Sequence, residues 1–128
     1  MKKPLNLIIV LISIATILSG LTQVFMPGMV LKTIGADITP ATTQFFATIG
    51  MFMAVFGGMM LHAVYSPQPN PVVVTWSALQ KFGASVAVGI GIAKGILAPI
   101  ASGVALFDLF SGLLFLYYLK STTRNEGN

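Results

Sequence analysis

Of 128 residues, 55% are hydrophobic and only 8% are charged, whereas a soluble domain carries about a quarter of its residues as charges. A water-facing surface cannot be built from so few, so the outer face is predicted to meet lipid. The length allows a single domain. The net charge of +4 comes from scattered residues, Lys2, Lys3, Lys32, Lys81, Lys94, Lys120 and Arg124. That scatter excludes a nucleic-acid partner, which would need a basic face with stacking aromatics. The absence of cysteine excludes disulfides, thiolate catalysis, iron–sulfur clusters and thiolate zinc sites.

A bilayer core about 30 Å thick needs roughly 20 apolar residues in a helix. Four stretches of the chain meet this: residues 5–25, 45–65, 72–97 and 100–119. The expected fold is an all-α, integral membrane, up-and-down four-helix bundle, a single domain of residues 1–128 with a polar tail over 120–128. The first span opens after Lys2 and Lys3, as a signal peptide does. Its apolar run is the length of a full span, however, and Leu18-Ser19-Gly20 is a poor cleavage site, so a retained helix is predicted. It ends at Pro27-Gly28. The segment that follows places Met29, Val30, Leu31 and Ile34 where a short helix would lie along the membrane surface. Thr39-Pro40 then offers a cap and a first helical position for the second span. That span stops before Ser66-Pro67-Gln68-Pro69-Asn70-Pro71, and only Pro99 separates the third from the fourth.

Basic residues near span ends set orientation. With the N-terminus inside, Lys2, Lys3, Lys120 and Arg124 are cytoplasmic, while Lys32 and Lys94 are outside. Both termini are therefore expected in the cytoplasm of a cell inner-membrane protein. Trp76, Tyr117 and Tyr118 then fall near the inner interface, where such rings are enriched.

The third span carries Gly83, Ala87, Gly91 and Gly95 four residues apart. Small residues at that spacing let another helix backbone approach closely, either within this chain or in a homo- or hetero-oligomer. The second span repeats the pattern more weakly with Gly50, Ala54 and Gly58.

Asp108 lies well inside the fourth span, where a charge is expensive and marks a functional site by default. Helical spacing puts Ala101, Ala105, Ser111 and Gly112 on its side, and Leu106, Phe110, Leu113, Leu114 and Tyr117 on the other. Asp108 is thus expected to face the bundle. Its predicted partner is Lys81, at a similar depth of roughly 10–15 Å by the helical rise, with Gln80 and Ser77 close by. Three readings of Lys81 stay open: a structural ion pair, a proton or ligand site, or a lysine snorkelling to the headgroups. His62, the one histidine, is read as a residue of the second helix's C-terminal end or as a titrating member of the polar site. One histidine and three acids spread along the chain do not make a metal site in a monomer. Met51, Met53, Met59 and Met60 are read as core filler rather than copper ligands. No nucleophile elbow or phosphate-cradling loop is present, and no catalytic residue or cofactor is assigned.

The layout resembles small bacterial four-helix membrane proteins of the DoxX-like group. The residues that carry the likeness are Phe25-Met26-Pro27 with Gly35, Gly57-Gly58, Lys81-Phe82-Gly83 and Asp108. Lys2 and Lys3 stand where the group has an arginine. The resemblance implies a four-helix bundle in the inner membrane, in a group whose founding members are linked to quinone-dependent sulfur oxidation. The function expected is that of a non-enzymatic accessory subunit or a binder of a small lipophilic ligand such as a quinone. The alternative is a proton-coupled carrier or quinone-linked redox subunit built on the Asp108–Lys81 site.

Overall fold

The computed structural model describes residues 2–126, with side chains over 4–123. The elements in order are α1 (Lys2–Phe25), α2 (Pro27–Thr33), α3 (Pro40–Tyr65), α4 (Pro71–Ala93), a 3-10 turn (Pro99–Ala101) and α5 (Ser102–Glu126). Among the described residues there are 4 helices long and apolar enough to cross a membrane.

Local chemistry explains where the helices start. Proline stands in the first turn of α2, α3 and α4, where its missing N–H leaves no bond unmade. Thr39 and Thr42 form a reciprocal cap on α3. The Thr42 N–H donates to Thr39 Oγ1 at 3.1 Å, and the Thr39 N–H donates to Thr42 Oγ1 at 2.8 Å.

Two helices end in the same way. Gly35 and Gly95 have φ of 74° and 73°, values that only glycine adopts readily. After α2, the N–H groups of Gly35 and Ala36 return to Lys32 O and Leu31 O. After α4, those of Gly95 and Ile96 return to Ile92 O and Gly91 O. Both are Schellman closures, and the Ala98 N–H ties them together by donating to Ile34 O at 2.8 Å. The third span's helix, α4, consequently stops at Ala93 rather than at residue 97. Gly95 serves its cap, not a packing ridge. The fourth span's helix, α5, runs on through the polar segment after Leu119 as far as Glu126, so the described part of the polar tail is helical. Thr122 and Thr123 accommodate this by donating to Leu119 O.

The bundle is two tight antiparallel pairs, α1 with α3 and α4 with α5, more thinly joined to each other. Glycines make the first pair tight. A Cβ on Gly20 would strike Gly50 O, and one on Gly57 would lie 2.9 Å from Ser13 O. Gly58, one residue on, faces open space. Gln23 Nε2 also donates across this pair to Phe46 O. In the second pair, Ser85 Oγ donates to Ala105 O at 2.8 Å, and Gly112 leaves room for the Phe82 ring. The pairs meet in a cluster of Ile9, Ile12, Met60, Val74, Ala78 and Phe115. Leu106, Phe110, Leu113 and Tyr117 point outward, Leu114 is half-buried, and Asp108, Ser111 and Gly112 point inward.

Candidate functional site: a buried polar junction

The polar residues of the interior lie at helical spacing on three helices. Ser13 and Thr16 share the inner face of α1, Ser77, Gln80 and Lys81 that of α4, and Asp108 and Ser111 that of α5. At 1.5 Å per residue, Thr16 lies about 14–18 Å from either end of its span and Lys81 about 15–18 Å. The junction is therefore half-way along the bundle.

Lys81 is its centre. The residue is 3% exposed and Asp108 is 9% exposed. Its ammonium donates to Thr16 Oγ1 at 2.7 Å and pairs with Asp108 Oδ1 at 3.4 Å. It also stands 5.1 Å from the centroid of the Phe107 ring, within cation–π range. Phe107 is itself partly exposed, so its ring screens the ammonium from the outside. Thr16 is fixed in turn, because its hydroxyl donates to Ile12 O at 2.8 Å and presents its lone pairs to Lys81. The lysine head thus ties α1 to the α4–α5 pair at one point. The snorkelling arrangement does not occur here.

A small cavity adjoins this point, lined by Ser13, Thr16, Gly57, Ser77, Gln80 and Lys81, with Phe56, Met60 and Phe115 as apolar walls. Its room, about 10 Å³, suits roughly one water molecule. Ser13 Oγ donates to Ile9 O, but Ser77 Oγ and Gln80 Oε1 are buried and have no hydrogen-bond partner among the described residues.

The residues expected at the site divide into three groups. Lys81, Asp108 and Gln80 come together. His62 does not join them; it is exposed beside a separate open cleft of about 200 Å³ at the α3–α4 turn, with Met59, Ala63, Ser66, Asn70 and Val73. Among the described residues, Gly83, Ala87 and Gly91 do not pack against another helix. Gly83 and Ala87 are exposed, and the nearest atoms to a Cβ on Gly91 belong to the Leu97 side chain, which folds back over it. The close helix contact belongs instead to Gly20, Gly50 and Gly57. Thr16 and Ser13 were not singled out from the sequence. The signal that would have found them is a pair of hydroxyls three residues apart at the depth of Lys81.

Chemically, the junction holds one compensated charge pair whose two side chains are almost fully buried. Among the described residues, no group of three or more His, Asp or Glu side chains converges as metal ligands would. Comparison with protein-family models, with curated proteins and with solved structures finds no match to this chain, so the DoxX-like likeness rests on the residues quoted for it.

Proposed function

We propose that the protein is a multi-pass inner-membrane protein, with both termini cytoplasmic, that acts as a non-enzymatic accessory subunit of a larger membrane assembly. Membrane insertion is supported by an inverted polarity. Large apolar side chains such as Leu11, Leu18, Phe52, Val86, Leu106 and Phe110 are exposed around the bundle, while Ser13, Thr16, Gln23, Ser77, Lys81, Asp108 and Ser111 are buried in it. Water would not tolerate that exterior, whereas lipid would. Tyr65, Trp76 and Tyr117 are exposed at the end of the bundle where α1 begins and α5 finishes, which supports an aromatic belt at a cytoplasmic interface.

The observation that carries the accessory role is the closed state of the Lys81–Asp108 pair. The charges are paired, hydrogen-bonded and almost fully buried, and the adjoining cavity has room for about a water molecule. A quinone or a transported solute has no space beside it. The pair holds two helix pairs in register, which favours a structural role over a carrier or redox role. Extraction from native membrane in mild detergent, followed by native mass spectrometry, tests this. A fixed stoichiometry with another membrane protein is expected. A monomer carrying one equivalent of a lipophilic molecule would instead mark a ligand binder.

A further inference from the structure

We propose that the cavity between Ser77, Gln80 and Lys81 is a binding site for a single internal water molecule, which completes the coordination of the lysine ammonium. An ammonium has three N–H donors. Two are engaged in the structure, one by Thr16 Oγ1 and one by Asp108 Oδ1, and Lys81 also lines the cavity. On the same wall stand two buried polar atoms without protein partners, Ser77 Oγ and Gln80 Oε1. Ser77 is 2% exposed, so no outside solvent reaches its hydroxyl.

A buried polar group left unbonded costs about 1–3 kcal/mol, and two such atoms facing one small space are unexpected unless something bridges them. Size and charge choose the occupant. About 10 Å³ fits one water and excludes a lipid or a quinone. A metal cation is disfavoured beside an ammonium, and an anion beside the lone pairs that Gln80 Oε1 and Ser13 Oγ present. A water accepts from Lys81 Nζ and from the Ser77 hydroxyl, and donates to Gln80 Oε1 and to a lone pair of Ser13 Oγ, which spends its own proton on Ile9 O. All four partners line the cavity, and an internal water usually makes two to four bonds. Gly57 forms part of the lining, and a Cβ there would press on Ile17 and Ser13.

Stability measurements give opposite signs for a hydrated and a dry cavity. In a dry cavity, Ser77→Ala and Gln80→Met each remove an unbonded polar atom, so melting temperature stays level or rises. With the water present, each variant removes one of its partners, and melting temperature falls by roughly 2–8 °C. A second measurement needs no variant. In lipid bilayers, proton-detected solid-state NMR should show magnetisation transfer from water to the Gln80 side-chain amide and the Met60 methyl, with none reaching Val74, which is equally buried in the apolar cluster. Transfer to the first two together with lowered melting temperatures supports the site. Gln80 and Met60 signals as dark as Val74 would overturn it, whatever the variants do.

Discussion

Substituting either member of the Lys81–Asp108 pair strands its partner half-way through the bundle, and the energetic consequence can be worked from the geometry. Two unit charges 3.4 Å apart attract by about 5 kcal/mol at an effective dielectric near 20. Desolvation offsets much of that in the intact protein, but the offset does not help a stranded charge. Breaking a buried pair from one side costs about 3–5 kcal/mol in soluble proteins, and a bilayer softens the loss by snorkelling and water defects. Lys81→Met and Asp108→Asn should therefore each lower unfolding free energy by about 2–4 kcal/mol. Asp108→Asn is the milder, since the ammonium keeps its Thr16 hydrogen bond and the Phe107 ring. The double variant should recover at least about 1 kcal/mol of the summed loss, because no charge remains unpaired. The assay is reversible unfolding of the purified protein in mixed detergent micelles, followed by circular dichroism for all four members of the cycle. Losses that add to within about 0.5 kcal/mol would show that the two side chains do not interact and would refute this account of the junction.

Thr16→Val removes the third corner of the same network and should cost about 1.5–3 kcal/mol, as hydrogen bonds to charged groups do; a neutral result in the same unfolding assay would detach α1 from the junction. Gly57→Val should fail to form the α1–α3 pair, because its Cβ meets the Ser13 carbonyl. Gly58→Ala, facing open space, should be neutral or stabilising by up to about 1 kcal/mol, and equal yields of folded protein for the two would contradict the packing described. Gly83→Leu should leave the monomer's melting temperature intact, since no atom of the described residues lies within 4 Å of a Cβ there; its effect on complex size by native mass spectrometry then reports whether a partner helix docks there. Reporter fusions at Asn128 and in the 66–70 turn should be active only for cytoplasmic reporters, and activity of an export-dependent reporter at either place would reverse the topology.

Much of this protein follows from the order of its residues alone. Long apolar runs with proline and glycine between them specify helices and their ends through local sterics, so Pro27, Pro40, Pro71 and Gly95 act wherever the helices go. Burial cost acts locally as well: a lone Asp108 among apolar residues must turn inward, and a lysine at similar depth is its natural partner. Tertiary structure decided the rest. In a helix that meets lipid, both faces are apolar, so hydrophobic periodicity does not say which glycine touches a neighbour. Gly57 and Gly58 are indistinguishable until α1 is laid against α3, and the regular Gly83–Gly95 spacing turns out to serve a cap at one end and an exposed face at the other. Thr16 was hidden for a related reason. A threonine in an apolar span bonds its own helix and needs no partner, and only the helix packing brings Lys81 within 2.7 Å of it. The same packing leaves His62 outside, at the α3–α4 turn, because the direction of a side chain around its helix is set by what the helix packs against.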